Sequence, residues 1–475
     1  MGKDIKFTPS KKEEVEEFKK RVEKETAQLQ QIFKEGSFVK KGHKVGIELE
    51  GWLLNENMLP DPFNETFLKA VDQEQIVPEI AKFNFEINSS PFVLASNGFS
   101  KLENEMLSLW NECTKAANSF NKNAILIGTL PTLRPHMLSL DYLSASSRYK
   151  VMNQKVMELR NKKPLNLRMD GKDSLRMSMD SVIAECAATS LQIHLGVDPE
   201  NAKDYYNAST VASAFLIAVS ANSPYFFGKE LWDESRIGTF EQAVEIEAKS
   251  SNDGLVRKRV SLGSGFVKKC LFELFEENIK EYPILLSELS DEDFFHLRLH
   301  NGTIWRWTRP VLGDSGDGKY HLRIEQRTPS SGPTIVDSIA NSMFYIGMVD
   351  YLANLEDKVE SQISFYDVVQ NFYAASRISY FAKVTWIDGK SYPITKLLKE
   401  TIFPEAKKSL IKRGLDKNEI DYYMDSIILE RINKEVNGAI WQKAFIHTHG
   451  KRFQELLEAY YENQKTNTPV HKWKI

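Results

Sequence analysis

The stretch KVGIELEGW, residues 44–52, decides the fold class predicted for this chain. Read as a β-strand, its two-residue period puts Glu48 and Glu50 on one face and the apolar residues on the other. The apolar face predicts a strand that packs on a core. Two neighbouring carboxylates on the opposite face repel each other unless water or a cation lies between them. The pair alone therefore fits either a solvated acidic strand face or a metal site.

The length and composition are those of a globular protein. The chain has 475 residues, 42% of them apolar and 11% aromatic, enough for one large enzyme domain with additions or for two or three ordinary domains. Its 62 basic and 65 acidic side chains give a formal charge of −3. This balance argues against a whole surface that binds nucleic acid or membrane, but it is compatible with a local basic cleft for phosphates.

Cysteine usage and the lack of long apolar runs favour a cytoplasmic protein. Cys113, Cys186 and Cys270 are far apart and form no CxxC pair, so neither a disulfide framework nor a zinc site is expected. The first residues, MGKDIK, contain no apolar leader, and the longest apolar patch, residues 212–219, is too short to span a membrane. We therefore expect a soluble, cytoplasmic protein.

The order of the predicted elements divides the chain into three parts. An amphipathic helix from about Pro9 to Lys34 predicts a helical arm over residues 1–40. Strand and helix patterns mix through a predicted catalytic domain, residues 41–385, and helical patterns dominate a C-terminal extension, residues 386–475, that packs on it. Because the strands follow no regular βαβ order, we predict an α+β fold with a mainly antiparallel sheet.

Turn residues and periodicity locate the individual elements. The predicted strands are 83–88, 124–128 and 187–197, and a hairpin over 301–329 has arms at 303–309 and 320–328 around a turn at 313–318. The predicted helices are 98–118, 207–221, 361–373 and a final one near 438–464. His447 and His449 fall in that final helix, where residues two apart do not face each other. We therefore interpret them as structural rather than as metal ligands.

Four strand-like segments carry polar groups on one face each. These groups are Glu48 and Glu50; Asn84, Glu86 and Asn88, with Glu79 upstream; Ser190, Gln192 and His194; and Arg323, Glu325 and Arg327, with Arg309 on the other arm of the hairpin. Hard cations such as Mg²⁺ prefer carboxylate oxygens, and arginine holds phosphate oxygens with paired hydrogen bonds. The combination predicts a metal-and-phosphate site for ATP on the concave face of a sheet. The alternative is a set of surface ion pairs on a half-exposed sheet.

Known nucleotide-binding motifs do not account for such a site. The sequence contains no Walker A motif, Rossmann glycine fingerprint or kinase signature set. The glycine-containing segment at residues 261–266 is interpreted as an ordinary connection.

Taken in order along the chain, these segments resemble the glutamate–cysteine ligase superfamily, and most closely its second family, the carboxylate–amine ligases. The resemblance rests on residues 46–50, Glu79 with Glu86, residues 192–194, the blocks 307–310 and 323–327, and the segment 222–228 followed by Arg236. It extends from about Gly46 to Ala340.

The resemblance implies a glutamine-synthetase-like fold, in which a curved, mainly antiparallel sheet forms a funnel. It implies Mg²⁺ or Mn²⁺ held by glutamates at Glu48, Glu50, Glu86 and Glu325, with Glu79 as a further ligand. It gives catalytic roles to Arg309, Arg327 and Glu50, and nucleotide or cofactor positioning to Gln192, His194, Arg323 and Arg236.

The implied reaction depends on ATP. A substrate carboxylate attacks the γ-phosphate, and an amine captures the acyl phosphate to form an amide or γ-glutamyl bond, as in glutamate–cysteine ligation. The partners are then a small amino-acid or peptide carboxylate and an amine. A homo-oligomer is compatible with this reaction. Residues 326–328 and a long, lysine-rich tail from Ile387 depart from the family pattern, which bears on the substrate more than on the reaction.

Two other functions stay open from the sequence. One is phosphotransfer to a small acceptor without amide formation. The other is a non-catalytic regulatory protein that binds a nucleotide or an amino acid on the same scaffold, because function belongs to sites and not to folds.

Overall fold

One curved antiparallel sheet organises the computed structural model, which describes residues 12–40, 44–246 and 257–475. In chain order the strands are β1 (Lys44–Leu54), β2 (Ile76–Pro78), β3 (Asn84–Asn88), β4 (Phe92–Val93), β5 (Asn123–Ile125), β6 (Leu165–Asp170), β7 (Ser174–Met179), β8 (Leu191–Val197), β9 (Tyr225–Phe226), β10 (Lys229–Glu230), β11 (Thr308–Asp314), β12 (Tyr320–Gln326), β13 (Lys383–Thr385) and β14 (Ser391–Pro393). The main sheet has the order β11–β12–β8–β1–β3–β2, with β4 and β5 also paired to β1. Its strand pairs are antiparallel, which confirms the predicted α+β class.

Helices surround this sheet along most of the chain. They are α1 (Lys12–Glu35), α2 (Asn64–Val71), α3 (Gly98–Ser119), α4 (Ser147–Leu159), α5 (Ala202–Ser220), α6 (Ser235–Ala243), α7 (Phe272–Glu281), α8 (Phe295–Asn301), α9 (Ile335–Ala353), α10 (Val359–Gln362), α11 (Phe365–Ile378), α12 (Ile394–Leu397), α13 (Phe403–Lys412), α14 (Lys417–Ile420), α15 (Glu430–Lys434), α16 (Gly438–His449) and α17 (Phe453–Lys465). Within the described ranges, no helix combines the length and apolarity needed to cross a bilayer.

Two buried helices cover the apolar face of the sheet. α5 and α9 pack against each other, α5 packs on β11 and β12, and α9 packs on β8. Both helices are buried on nearly every side, as expected of helices in the centre of a large core. Gln326 at the end of β12 donates to the Ser209 carbonyl and the Ser213 hydroxyl of α5, each at 3.1 Å. The opposite, polar face of the sheet is left to line a cavity.

The predicted hairpin and final helix differ from the observed ones at their ends. The outgoing arm of the hairpin begins at Thr308 and not at Thr303, because the Trp307 N–H donates to the Ser261 carbonyl instead of joining the ladder. The predicted helix near 438–464 is two helices, α16 and α17, separated at Gly450. Gly450 has φ +81°, outside the helical region, so the chain changes direction there.

The first and last long helices of the described chain, α1 and α17, both pack on the body. The described part of the amphipathic helix, α1, buries Phe18, Val22 and Leu29, while residues 9–11 of the predicted helix lie outside the described residues. At the other end, Gln464 of α17 is buried and hydrogen-bonds both the N–H and the carbonyl of Leu126. The three-part domain division at 1–40, 41–385 and 386–475 stays a prediction.

Candidate active site

Strand register brings the predicted polar groups together on one face. Glu50 of β1 lies opposite Glu86 of β3, and Glu48 lies opposite Gln192 of β8. On the other side of β8, His194 lies opposite Glu325 of β12, which in turn lies opposite Arg309 of β11. Directly opposite residues in antiparallel strands project to the same side of the sheet. The two-residue period therefore collects side chains from five strands into one patch.

This patch lines a cavity of about 460 Å³. The predicted site residues that line it are Glu48, Glu50, Glu79, Glu86, Gln192, His194, Arg309, Arg323, Glu325 and Arg327. A second cavity of about 340 Å³ adjoins it and shares Glu48, His194 and Arg323 with it. The cavity is therefore the place where the predicted site residues meet.

The carboxylates form two groups with different surroundings. In the first group, ligand atoms of Glu48, His194 and Glu325 lie within 4.8 Å of one another. Burial alone raises the pKa of a carboxyl, but the neighbouring His194 outweighs it and lowers the pKa of Glu48 to about 2. For Glu325, Arg309 and Arg327 outweigh burial and hold the pKa well below its usual value. Both carboxyl groups are therefore ionised at neutral pH, and Glu325 is paired with Arg309 and Arg327.

The second group is less neutralised: burial raises the pKa of Glu50, and Arg327 and Arg236 offset this only in part. Ligand oxygens of Glu50, Glu79 and Glu86 also lie within 4.8 Å of one another. Burial, and then the charge of Glu50, raise the pKa of Glu79 to about 8. Burial and the charges of Glu48, Glu79 and Glu50 raise the pKa of Glu86 well above its usual value. Three carboxyl groups at this spacing, Glu86 buried and Glu79 half-buried, repel one another until they bind either protons or a cation.

The second group fits a hard divalent cation. Its donors are carboxylate oxygens, the ligand type that Mg²⁺ and Mn²⁺ prefer. Glu50 is held in place by the N–H of Ser190 at 2.7 Å, the hydroxyl of Ser190 at 3.0 Å and the amide of Gln192 at 2.9 Å. These hydrogen bonds fix its orientation, which is how outer residues prepare a metal ligand.

Arginines line the side of the cavity formed by the hairpin. Arg309 holds Glu325 with two guanidinium nitrogens, Nη2 at 2.9 Å and the closer Nε. Arg327 donates to Glu325 at 3.1 Å and also to Gln192. Arg323 projects into both cavities, and its buried Nε has no hydrogen-bond partner among the described residues. Three guanidinium groups beside a carboxylate cluster can bind an anion such as phosphate next to a metal.

Arg236 is the predicted site residue that the cavity does not include. It is buried on α6 and pairs with Glu234 at 3.0 Å. Its Nη2 donates to the backbone carbonyls of Arg327, at 3.1 Å, and of Thr328. Arg236 thus lies behind Arg327 and supports the strand end that carries it.

Comparison with known families identifies the chain. A family model described as glutamate-cysteine ligase family 2 matches residues 44–423. The chain belongs to this family. The match includes the described strands that carry the polar patch and confirms the resemblance stated from the sequence. A comparison with curated protein sequences finds no match.

Two solved structures are similar in fold to this chain. A glutamate–cysteine ligase from Francisella tularensis in complex with AMP has a TM-score of 0.57 and 13% identity, over 90% of each chain. A bifunctional glutathione synthetase from Pasteurella multocida has a TM-score of 0.50 and 10% identity, over 92% of this chain. This chain spans only 54% of the length of the second protein. At these identities the likeness concerns the fold.

The cavity of this family member also contains residues that the sequence did not suggest. Glu185 comes from a short 3₁₀ helix, Val182–Ala187, and Arg148 and Tyr149 come from α4. Burial, followed by the charge of Glu79, raises the pKa of Glu185 well above its usual value. None of these residues follows a strand period, so alternation gave no signal for them.

Proposed function

We propose that this chain is an ATP-dependent carboxylate–amine ligase that forms an amide bond through an acyl phosphate. The observation that carries the proposal is the convergence, in a glutamate-cysteine ligase family 2 member, of two carboxylate groups and three arginines on one cavity. Cations bound by carboxylates, together with guanidinium groups, are what phosphoryl transfer requires, since its catalysis consists mainly of positioning and charge stabilisation.

Glu50, Glu79 and Glu86 would hold the first Mg²⁺ or Mn²⁺, and Glu48, His194 and Glu325 a second. The bound metal would neutralise phosphate oxygens and orient the nucleotide. The proposed nucleotide is ATP, and the AMP bound by the Francisella tularensis ligase supports an adenine nucleotide. Gln192 would position the nucleotide or the amino acid through its contact with Arg327.

The arginines would stabilise charge on the transferring group. The substrate carboxylate attacks the γ-phosphorus of ATP, the bond to the bridging oxygen breaks, and ADP leaves. Arg309, Arg323 and Arg327 project to this side of the cavity and would neutralise the phosphoryl oxygens. The amine then attacks the acyl carbon, and inorganic phosphate leaves with the C–O bond pair. The amine proton passes to a cavity base or to the departing phosphate.

Arg148 supports a substrate with an additional anionic group. It lines the cavity from α4, and no described side chain forms a hydrogen bond or ion pair with it. A guanidinium at a cavity wall, with no side-chain partner in the described part of the chain, is suited to a carboxylate of the ligand. Amino acids and peptides carry such a second carboxylate, and glutamate–cysteine ligation is the specific reaction we propose to test first.

The experiment is ADP release from ATP in Mg²⁺, measured over pairs of amino acids and small amines, with mass spectrometry of the products. We expect ADP release that requires both substrates and yields an amide. Glu50→Gln and Glu325→Gln should each lose roughly 100-fold or more of turnover, because each removes a charge beside the transferring group. Glu74→Gln, an exposed carboxylate in the loop before β2, is the matched control and should keep wild-type turnover.

Three results would reject parts of the proposal. A phosphorylated product that accumulates without amide would indicate phosphotransfer instead of ligation. Nucleotide binding by calorimetry without turnover across the whole panel would indicate a binding protein. Unchanged turnover in both Glu50→Gln and Glu325→Gln would reject these residues as metal ligands.

A further inference from the structure

One wall of the cavity comes from helices and not from the sheet. The short helix α8 presents Phe295, Arg298 and Leu299 to the cavity, and Asn301 at its end also lines it. Phe275 of α7 lies beside them. The end of this wall is tied to the sheet, because Asn301 donates to the Pro310 carbonyl of β11 at 3.0 Å. Within the described residues, the first turn of α8 has no such hydrogen bond to a strand and needs another support.

The face of α8 that points away from the cavity contacts the N-terminal helix α1. Glu25 of α1 accepts a hydrogen bond from His296 Nδ1 at 2.5 Å and another from the Leu297 N–H at 2.7 Å. His296 is 2% exposed and Glu25 is 8% exposed. His296 Nε2 in turn accepts from the Ser290 N–H at 3.3 Å, so its proton lies on Nδ1 and points to Glu25.

Two neighbours of Glu25 on α1 hold the same region. Arg21 donates to the Ser290 carbonyl at 3.0 Å, just before the segment that enters α8. The ring of Phe18 meets the ring of His296 edge to face, with centroids 5.4 Å apart. Side chains at positions 18, 21 and 25 lie on one face of a helix, because they are three and four residues apart. One face of α1 therefore clamps the start of α8.

We propose that Glu25 is a positioning residue, through which the N-terminal helix α1 sets the place of the substrate-binding wall on α8. Glu25 touches no cavity atom itself and acts through His296 and Leu297. Its loss leaves the sheet and its carboxylates in place but lets α8 move. The substrate that packs on α8 then binds more weakly, while the chemical step proceeds at its former rate.

The first measurement does not depend on any activity. Hydrogen–deuterium exchange in Glu25→Ala should show protection of residues 290–302 reduced by roughly tenfold or more, with β1 unchanged. Glu25→Gln keeps one acceptor oxygen, which serves only one of the two donors, and should restore part of the protection. Glu23→Ala, an exposed glutamate on the same helix, is the matched control and should behave as wild type.

The second measurement rests on the proposed function. In the ADP-release assay, Glu25→Ala should raise the KM of one of the three substrates by roughly tenfold, with kcat and the other two KM values within twofold. The KM of Glu25→Gln for that substrate should lie between the values for Glu25→Ala and for the wild type. A general loss of folding would instead lower the active fraction and leave every KM unchanged.

Each failure has a separate meaning. Unchanged exchange at residues 290–302 in both Glu25 variants would overturn the clamp. Increased exchange with every KM unchanged would overturn the link between α8 and substrate binding. A wild-type protein that releases no ADP would reject the proposed function, while the exchange result would still decide whether Glu25 holds α8.

Discussion

Among the site residues, the two carboxylate groups differ in what balances their charge. Glu325 is paired with Arg309 and Arg327, whereas Glu79 and Glu86 have mostly other carboxylates around them. A buried like-charge cluster is costly without a counter-ion. The metal-free protein must therefore keep protons on the second group, and this requirement has a measurable pH dependence.

The stability of the metal-free protein should fall as pH rises. Burial and the charge of Glu50 raise the pKa of Glu79 from 4.5 to about 8. The folded state thus binds this proton more tightly than the unfolded state, so the stability it contributes is complete below pH 4.5 and is lost as pH rises to about 8. In urea unfolding with a chelator present, we expect the urea concentration at the midpoint to decrease as the pH is raised from about 5 to about 8. The decrease should be smaller in Glu79→Gln.

A divalent cation should reverse this loss. Mg²⁺ or Mn²⁺ replaces the protons at high pH, so it should stabilise the wild type more at about pH 8 than at pH 5. Glu74→Gln is the control for a change of charge outside the cavity. Equal pH slopes in the wild type and Glu79→Gln would contradict the raised pKa.

Most residues of the candidate site could be predicted from the sequence, because alternation along a strand determines which side chains share a face. Alternation alone placed Glu48 with Glu50, and Gln192 with His194, on common faces. Glu185 and Tyr149 could not be found in this way, since they approach the cavity only through the packing of α4 and a 3₁₀ helix. His447 and His449 do lie on a helix, α16, as the sequence predicted.

At the scale of elements, the buried helix α9 makes an unusually close contact with α13. A Cβ atom on Gly347 of α9 would lie 2.7 Å from the backbone oxygen of Ala406. Backbone cannot move aside as a flexible side chain can. The glycine therefore allows the two helices to approach each other at this point.

Gly347→Ala should destabilise the protein despite the better helix propensity of alanine. Alanine gains about 1 kcal/mol in a helix interior, but the clash with Ala406 costs about 1–3 kcal/mol through helix displacement. We expect a lower denaturant midpoint for this variant. Gly265→Ala, where a Cβ would meet no atom within 4 Å, is the control and should leave the midpoint unchanged or raised. A midpoint raised by Gly347→Ala would mean that the contact with α13 is loose.

The elements were easier to predict than their ends. The strand at β3 and the helix at α3 match the predicted ranges closely, since their periodicity is clear. The start of β11 and the break at Gly450 depend on tertiary hydrogen bonds and on a left-handed glycine. Local sequence patterns contain no information on the start of β11 and only a weak signal of the break at Gly450.

At the scale of the whole molecule, the C-terminal helices share the core of the sheet domain. Gln464 of α17 is 2% exposed and hydrogen-bonds Leu126 at both its N–H and its carbonyl, and also the Pro333 carbonyl. Tyr460 on the same helix donates to the Leu126 carbonyl at 2.9 Å. These contacts lie beside β5, which pairs with β1. The two regions should therefore unfold together.

Gln464→Leu should lower the stability of the whole protein by about 2–4 kcal/mol, because it leaves the Leu126 N–H and the Pro333 carbonyl without this partner in the core. Unfolding followed by tryptophan fluorescence and by circular dichroism should give one coincident transition for the wild type and for the variant. Gln454→Leu, an exposed position on the same helix, is the control. Separate transitions by the two probes would instead support an independent C-terminal domain.

The register of the sheet also determines which changes of length the protein tolerates. Apart from the short turn between β11 and β12, long connections join the strands that carry the site. Insertions within those connections leave the opposed pairs, such as Glu50 with Glu86, unchanged. A single residue inserted within β1 would instead turn the carboxylates toward the core and the apolar side chains toward the cavity. Relatives can therefore diverge widely in loop length and retain the same chemistry, provided that the strands themselves keep their length.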